Sequence, residues 1–462
     1  MKKMVFVCLV VFLFLASVFS GFSYKGQHLR ADGYTGLDKF GFFEDRKDIE
    51  VLDFLDGSRV EIRDGVKIVY LNGSYYEMGY QFACLLEEQY LASRRAWMDF
   101  LPYSFEELLQ FWYDIEDKIP VRYKDEIQGR ADALDLSFEE VAIMEVIGVA
   151  MYKDEKCSGF AAWGPATEDG RLYHFRSCDG SLSSVDPVTG MYASDDQLLI
   201  VRNPEEGYSS VVIGLSVEVG ADAGFNEKKI GVGYSAVSSS DVKTDGVPSG
   251  IRKRMLLEEA SNLEEAVDIY NMSSTCGWNL IISDGDDSSA VVVEDGRNYS
   301  KVCRWNDSCE SNYPSWEIDH VLRRGNFFLN PVEAGFEEDV YNKSGFFRYF
   351  LSLLGFETPY DHYGEILHFN VMSRAIEDRW GNLGLNSSME MMRSVYRGET
   401  NFFYGSLKRF IPSLYVQTWN QWTFCPETGE LVVSFSDRRK TAFLNPVHYF
   451  NLYELMDKNF KG

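Results

Sequence analysis

Hydrophobic residues recur at helical spacing over much of the first third of the chain. Residues 65–95 have the pattern of a strand, an Asn-Gly turn and a helix that begins near Ser74. Ser-x-x-Glu stretches at Ser104 and Ser137 predict capping boxes, in which serine and glutamate satisfy each other's backbone N–H groups. The pattern therefore predicts mainly helix up to about residue 151, after an irregular polar stretch at 24–65.

From residue 157 the pattern changes to short apolar runs separated by turn residues, which is typical of strands. Strands are predicted throughout 157–234, as a pair across 277–294 and in the closing segment 413–436. A helix is predicted at 251–272, and helices with loops at 315–410. This order predicts an α+β fold in which helices pack against antiparallel sheets.

A charged, an apolar and a small-residue stretch open the chain in that order. Lys2 and Lys3 precede an apolar run that ends at Phe19, and small residues follow as far as Ser23. This pattern predicts a secretory signal peptide over residues 1–23. We therefore expect an exported protein in an extracellular, periplasmic or lysosome-like location. No later segment is apolar enough to predict a stable membrane span.

Charge narrows the expected partners. Hydrophobic residues make up 45% of the 462 residues, so a large core is expected. The formal net charge is −26, and removing Lys2 and Lys3 with the signal peptide makes it −28. Such a surface repels phosphate backbones and anionic lipid headgroups. Nucleic acid is therefore not an expected partner.

Seven of the eight cysteines lie beyond the signal peptide. An odd number leaves at least one thiol outside any intramolecular disulfide. Cys303 and Cys309 flank a turn-like stretch and are expected to pair. The sequence has no Cys/His cluster with zinc-ligand spacing, so no metal is expected.

Cys157 stands at the start of the first predicted strand pair. A thiol becomes a strong nucleophile as its thiolate, and catalysis requires a base nearby. His174 lies on the partner strand but is more easily explained as a packed histidine. If the chain is cut before Cys157, the new α-amino group sits on the same residue, with a reference pKa of about 7.7–8.0. That value suits a general base near neutral pH.

The register of this strand pair decides which side chains face the nucleophile. A four-residue loop at 167–170 places Asp179 opposite Ser158, and Arg176 opposite Ala161. A two-residue loop shifts Asp179 to a position opposite Phe160. In the first register, Asp179 would hold the ammonium form of the amine. Arg176 would bind a substrate carboxylate or fix Asp179.

Structural interpretations of the same residues stay open at this point. Cys157 and Cys178 can be two halves of a structural disulfide. Arg176 and Asp179 can be an ordinary ion pair on a strand surface. Each of these alternatives removes a catalytic role from the residues concerned.

Several stretches resemble one enzyme family. "CSGFAAWGPATEDGRLYHFRSCD", from Cys157 to Asp179, is similar to a nucleophilic cysteine followed by Arg-x-x-Asp. "NGSYYEMGYQFACLL", "GFNEKKIGVGYS" and "NLIISDGDDSSAVVVE" resemble three further family motifs. Over most of residues 70–450 the chain looks like the N-terminal nucleophile (Ntn) hydrolases. Within them it resembles the group of the acyl-coenzyme A:isopenicillin N (6-aminopenicillanic acid) acyltransferase.

This resemblance implies a four-layer αββα sandwich of antiparallel sheets flanked by helices. It also implies that the precursor cleaves itself between Lys156 and Cys157, giving associated chains 24–156 and 157–462. The freed Cys157 would attack a linear acyl amide, either a small molecule or a lipid, without a cofactor. Asn279 matches the family asparagine that donates to the oxyanion. Asp179 and Arg176 match the residues that organise the amine.

The chain departs from the family in three places. The second oxyanion asparagine of related enzymes falls near Ser235 and Ala236. The last glycine of the Gly-x-Asn-Glu-x-Gly stretch is Lys229. An Asn-His pair of the group reads Asn326-Phe327 here. Two alternative functions therefore stay open: a phospholipase B-like protein or lipid amidase on the same fold, and a catalytically inactive, secreted binding protein.

Overall fold

The computed structural model describes residues 57–148, 156–239, 246–270, 274–297, 299–312, 314–330, 363–400, 417–438 and 440–457. The predicted signal peptide and residues 24–56 lie outside the described residues. Within the described part of the chain, no helix combines the length and the hydropathy needed to cross a bilayer.

Three of the described α-helices begin at a capping box. Ser74, Ser104 and Ser137 each accept from a backbone N–H three residues on, and the glutamate at that position accepts from the serine N–H. The capping boxes predicted at Ser104 and Ser137 are thus confirmed, and a third stands at Ser74. The helices are α1 (Tyr75–Phe100), α2 (Phe105–Ile115), α3 (Val121–Leu134), α4 (Phe138–Ala142), α5 (Ser249–Glu259), α6 (Leu263–Tyr270), α7 (Tyr363–Asp378), α8 (Leu385–Arg397) and α9 (Leu452–Met456).

The helix predicted at 251–272 is two helices, α5 and α6. Helix α5 ends at its C-cap Ala260, which has an extended backbone. The Asn262 side chain then accepts from the backbone N–H of Glu265 at 3.0 Å. Asparagine in this position is a helix N-cap, so the break follows from a local hydrogen bond.

The strands form two sheets, and each strand's bounds follow. They are β1 (Arg59–Arg63), β2 (Val66–Gly73), β3 (Lys156–Gly164), β4 (Gly170–Asp179), β5 (Gln197–Pro204), β6 (Ser210–Leu215), β7 (Ala223–Asn226), β8 (Ile230–Val237), β9 (Gly277–Asp284), β10 (Ser289–Asp295), β11 (Ser300–Cys303), β12 (Val321–Arg324), β13 (Thr418–Cys425), β14 (Glu430–Phe435) and β15 (His448–Asn451). Sheet A has the order β1-β2-β5-β6-β7-β8-β9-β10-β11. Sheet B has the order β12-β3-β4-β13-β14-β15.

The two sheets pack face to face between helical layers. Phe225 of sheet A contacts Phe424 and Trp422 of sheet B, with ring centroids 3.7 and 5.1 Å apart. The outer face of sheet A shares a core with helices α1, α3, α5 and α6. The outer face of sheet B shares a second core with α7 and α8. The expected α+β class and four-layer αββα arrangement are confirmed.

Strands β2 and β12 also differ from the sequence prediction. Strand β2 pairs with β5 in parallel, so sheet A is mixed rather than wholly antiparallel. The chain between them runs through several other elements, so no hairpin constrains their direction. Strand β12, inside the region predicted as helix and loop, pairs with the nucleophile strand β3 at the edge of sheet B.

Helices α1 and α3 pack closely where Gly79 of α1 and Gly129 of α3 meet the backbone of the other helix. This contact generates a stability prediction. A Cβ on Gly79 would overlap the backbone carbonyl oxygen of Glu126. We expect Gly79→Ala to lower the free energy of unfolding by about 1–3 kcal/mol, because backbone must move to admit the methyl group. Chemical denaturation measures this difference.

The matched control is Gly250→Ala in helix α5. A Cβ there would meet its nearest atom at 3.8 Å, an ordinary contact. Alanine is favoured over glycine in a helix by about 1 kcal/mol, so this variant should be neutral or more stable. Equal destabilisation by both substitutions would contradict the close packing of α1 on α3.

Candidate active site around Cys157

Strands β3 and β4 set the geometry around the candidate nucleophile. The ladder aligns three pairs here: Lys156 with Asp179, Cys157 with Cys178, and Gly159 with Arg176. Both registers considered from the sequence are therefore wrong, since Asp179 lies opposite neither Ser158 nor Phe160. Asp179 instead lies opposite Lys156, two residues before Ser158, beside the predicted scissile bond.

The reason for this register is the length of the turn. Gly164 pairs with Gly170, so five residues, 165–169, form the connection. Both glycines have positive φ, 56° and 83°, a conformation that other residues adopt at a cost. The ladder also shifts between Ala162 and Gly164. A turn of unexpected length and an irregularity together move every pair beyond them.

Cys157 is held at both its backbone and its thiol. Its backbone N–H donates to Asn326 Oδ1 at 2.8 Å. Its Sγ accepts from Arg176 Nη2 at 3.6 Å. The residue is only 4% exposed. The thiol thus lies beside a buried guanidinium.

Arg176 lies buried between the two sheets. Its Nε donates to the carbonyl oxygen of Tyr234 at 2.9 Å, and Nη1 approaches Asp222 Oδ2 at 3.5 Å. Burial alone would lower the pKa of Arg176, but attraction from Cys178, Asp222 and Cys157 raises it well above its usual value. The guanidinium is therefore a permanent positive charge next to the thiol. The expectation that Arg176 binds a substrate carboxylate or fixes Asp179 stays a prediction.

Asp179 lies on the strand face that turns toward helices α7 and α8. Its Oδ1 accepts from Thr418 Oγ1 at 2.7 Å and from Ser177 Oγ at 2.9 Å. Its Oδ2 accepts from the Tyr396 hydroxyl at 2.6 Å. These three donors stabilise a carboxylate that is 3% exposed. Its role in holding the amine of Cys157 stays a prediction.

A line of hydrogen bonds connects Asp179 to helix α7. Tyr396 gives its only hydroxyl hydrogen to Asp179, so Ser158 Oγ must donate to the Tyr396 oxygen across their 2.9 Å contact. His368 Nε2 lies 3.3 Å from Ser158 Oγ and must then be the donor. The residue after the nucleophile is thus tied to the carboxylate behind it. Sequence analysis did not identify Ser158, Tyr396 or His368, because they come together only in the folded chain.

Asn279 reaches Cys157 through another residue. Its Nδ2 donates to the carbonyl oxygens of Gly325 and Phe327 at 2.9 and 2.8 Å. This brackets Asn326, whose Nδ2 donates to the carbonyl oxygen of Ala236 at 2.7 Å. The oxyanion role expected of Asn279 stays a prediction, and it would require Nδ2 to release one of these carbonyls.

Asn326 is therefore a site residue that the sequence reasoning did not include. The sequence signal for Asn326 is its place in the Asn-His pair of the resembled family, which reads Asn326-Phe327 in this chain. Its side chain contacts both the Cys157 N–H and Ala236, near the expected position of a second family asparagine.

His174 is not a candidate base. It is fully buried, and its Nδ1 lies 3.0 Å from Ser283 Oγ. Burial, reinforced by Arg176, lowers its pKa to about 3. The ring stays neutral near neutral pH, as expected of a packed histidine.

A cavity of about 300 Å³ opens beside the nucleophile strand pair. Cys178 and Asp179 form part of its wall. Apolar side chains from both sides of residue 157 form much of the rest: Trp97, Phe100, Ile147, Leu215, Tyr234 and Trp419. Polar and charged side chains also line it, among them Gln197, Glu218, Asp222 and Asn420. This volume equals that of roughly ten waters at ~30 Å³ each, enough for a medium-sized apolar group.

The possible metal ligands and the predicted disulfide coincide. Among the described residues, one group of potential ligands lies close enough for an ion: Cys303, Cys309 and Glu310. Cys303 and Cys309 form the expected disulfide, so neither offers a thiolate. Glu310 instead pairs with Arg324 at 2.6 Å. This group does not fit a metal.

Sequence comparison gives one family match. Residues 186–312 match the family described as acyl-coenzyme A:6-aminopenicillanic acid acyl-transferase. The expected resemblance is confirmed for this segment, which contains Asn279 and begins after Asp179.

Two relatives match about half of the chain at 23–25% identity. An uncharacterized protein of Archaeoglobus fulgidus is 25% identical over 297 residues, 56% of this chain and 48% of the relative. Protein dcd1B of Dictyostelium discoideum is 23% identical over 263 residues, 50% of each chain. The chain thus spans about half the length of these curated relatives.

Among solved structures, three similar chains are Ntn hydrolases. The penicillin V acylase of Agrobacterium tumefaciens has 13% identity and a TM-score of 0.37, with 66% of this chain and 89% of that chain covered. The conjugated bile acid hydrolase of Clostridium perfringens has 16% identity and a TM-score of 0.35, covering 64% and 93%. The N-acylethanolamine-hydrolyzing acid amidase ortholog of Caenorhabditis elegans has 14% identity and a TM-score of 0.34, covering 64% and 100%. These scores are low, so the fold assignment rests on the sheets and layers described above.

The hydrogen bonds of Asp179 generate a stability prediction. Tyr396→Phe removes a donor from a buried carboxylate and should lower the free energy of unfolding by about 1.5–3 kcal/mol. Tyr173→Phe is the matched control, because Tyr173 donates to Asp169, whose side chain is 34% exposed. Water replaces that donor, so the loss should stay below about 1 kcal/mol. Denaturant unfolding that ranks the two variants in reverse would contradict the arrangement.

Proposed function

We propose that this chain is a self-processing amidohydrolase or acyltransferase that uses Cys157 as an N-terminal nucleophile. The observation that carries the proposal is that both reactive groups of Cys157 are already held. Its backbone nitrogen, the future α-amine, contacts Asn326 Oδ1, and its Sγ contacts the buried guanidinium of Arg176. An ordinary core cysteine needs neither contact.

Self-processing would begin with attack of Cys157 Sγ on the carbonyl carbon of Lys156. The peptide C–N bond breaks as a thioester forms, and the nitrogen of Cys157 becomes a free amine. Water then opens the thioester, leaving a carboxylate on Lys156 and regenerating the thiol. Ntn logic requires this cut, because only then does the nucleophile carry its own base.

The two resulting chains would stay associated through sheet A. Strand β2, from the first chain, pairs with β5 of the second along six residues from Ile68 to Gly73. Trp97 of α1 also stacks on Trp419 of β13, with centroids 5.7 Å apart. These contacts do not involve the peptide bond between Lys156 and Cys157, so cleavage would leave them intact.

Catalysis would then use the amine of Cys157 as base. The amine takes the thiol proton, and the thiolate attacks the carbonyl carbon of an acyl amide. The amine next returns the proton to the leaving nitrogen, which gives an acyl thioester on Sγ. Water or a second amine releases the acyl group. The thiol, the amine and the acyl acceptor supply every step.

The apolar cavity supports an acyl-amide substrate, either a small molecule or a lipid. The aromatic and aliphatic side chains of its wall suit an acyl chain, and Cys178 in that wall lies directly opposite Cys157. Export remains part of the proposal through the predicted signal peptide. The Cys303–Cys309 disulfide is consistent with an oxidising compartment.

Intact mass under denaturing conditions tests the self-processing step. The wild-type chain should give two fragments, the larger beginning at Cys157, because the thiol cuts the preceding bond. Cys157→Ala should stay as one chain. Cys84→Ser, which removes a half-buried thiol of α1 outside the site, should cut like wild type. A wild-type chain that stays whole after prolonged incubation with reductant would overturn the proposal and favour an inactive binding protein.

The contacts around Asn326 generate a kinetic prediction. Asn326→Ala removes the acceptor of the Cys157 N–H, worth about 1 kcal/mol, and should slow self-cleavage about fivefold. Asn279→Ala should slow it similarly, because it releases the backbone around Asn326.

A double-mutant cycle separates this arrangement from independent roles. If Asn279 acts through Asn326, the double variant should cleave no more slowly than Asn326→Ala alone. Multiplied losses would instead mean that Asn279 acts directly, as an oxyanion donor would.

A further inference from the structure

The candidate nucleophile has a second thiol as its direct partner in the β3–β4 ladder. Cys157 lies opposite Cys178, and neither is in a disulfide. Directly opposed residues of antiparallel strands have Cα atoms about 4.5–5.5 Å apart. A disulfide requires a Cα separation of about 4.4–6.8 Å. Both side chains point to the same face, so the backbone spacing already suits a bond between the two sulfurs.

The pair adjoins a cavity that a small reagent can enter, and a buried positive charge lies beside it. Cys178 is half-buried and lines the 300 Å³ cavity, while Cys157 lies beside it at 4% exposure. The Arg176 guanidinium lies 3.6 Å from Cys157 Sγ, the sulfur that completes the exchange. A small reagent in the cavity therefore meets Cys178 first, with Cys157 placed behind it.

No other pair of reduced cysteines among the described residues shares this arrangement. Cys425 pairs with Glu430 in its ladder, and Cys276 lies just before β9. Cys84 is on helix α1. Cys178 stands at one of the two positions of the Arg-x-x-Asp motif where any residue is allowed. Neither the proposed mechanism nor the motif accounts for a thiol at this position.

We propose that Cys157 and Cys178 form a reversible disulfide, by exchange with a small-molecule disulfide, that switches the nucleophile off. The bond itself depends only on the geometry of the strand pair. Its effect on cleavage rests on the proposed function of Cys157.

The exchange balances in two steps. The Cys178 thiolate attacks one sulfur of the small disulfide, forming a mixed disulfide and releasing one small thiolate. The Cys157 thiolate then attacks the Cys178 sulfur, forming the intramolecular bond and releasing the second thiolate. The protein loses two electrons and two protons, and the small disulfide becomes two thiols. A reducing thiol reverses both steps.

The pKa of Cys178 affects the rate of the exchange. The Cys178 S–H donates a hydrogen bond to Cys157, and this bond, followed by burial, raises the pKa of Cys178 well above the ordinary value for a thiol. Few Cys178 side chains are thiolates near neutral pH, so exchange should be slow there and faster in more alkaline buffer.

The experiment uses the full chain treated with glutathione disulfide or with dithiothreitol. Reactive thiols are then alkylated, and peptides are mapped by mass spectrometry without reduction. Treated wild type should show a peptide linked through Cys157 and Cys178, and dithiothreitol should remove it. In parallel, self-cleavage should fall under glutathione disulfide to the level of Cys157→Ala and return with dithiothreitol.

Two variants separate the switch from general oxidation. In Cys178→Ser, the ratio of cleavage with and without glutathione disulfide should rise toward one, because the thiol that exchanges first is gone and the internal bond cannot form. Cys84→Ser should keep the wild-type ratio. If both cysteines of wild type remain fully alkylatable after treatment, the proposed disulfide does not form.

The outcomes also distinguish the two proposals. Reduced wild type that never cuts itself removes the proposed function, while the linked peptide still reports on the disulfide. Wild type that cuts itself equally well with glutathione disulfide, and yields no linked peptide, removes the switch alone. A persistent mixed disulfide on Cys178 without an internal bond likewise overturns the proposed switch.

Discussion

The position of Arg176 between the sheets is the constraint on which the site depends. A buried guanidinium is costly unless it is paired and hydrogen-bonded. Here the Tyr234 carbonyl, Asp222 and the Cys157 thiol supply the partners. The sheets approach closely because Gly233 has no side chain, since a Cβ there would lie 3.2 Å from Arg176 Cδ. The hydrogen-bonding needs of the Arg176 guanidinium thus fix the position of the thiol and limit the distance between the two sheets.

Sheet B separates two hydrogen-bond networks that meet at the start of β3. On the side of sheet A, Asn279 holds the backbone on either side of Asn326, and Asn326 holds the Cys157 nitrogen. On the helical side, Ser158 and Tyr396 lead to Asp179. The alternation of side chains along a strand sends neighbouring residues to opposite faces. The two networks therefore hold the start of β3 from both faces of the sheet.

The proposed disulfide links this architecture to the chemistry. The same register that places Cys157 next to Arg176 places it opposite Cys178. A thiolate that can attack a carbonyl carbon can also attack a disulfide. Self-processing and oxidation would therefore compete for one sulfur, and the redox state of the surroundings would decide between them.

The sequence by itself determined the local features, because they depend on residues close together in the chain. Capping boxes at Ser104 and Ser137, the change from helix to strand at residue 157, and the short Cys303–Cys309 disulfide all follow from neighbouring residues. The αββα arrangement also followed, although through resemblance to a family rather than from the pattern alone.

Only the tertiary structure decided the geometry of the site. The β3–β4 register depended on a five-residue turn and a ladder shift that short-range patterns did not reveal. Asn326 and Tyr396 are 169 and 238 residues from their partners Cys157 and Ser158. Hydrogen bonds of such separation have no periodic signature in the sequence. Packing of the two sheets and their helices brings these side chains together, and it decides which thiol, amide and carboxylate can act on one another.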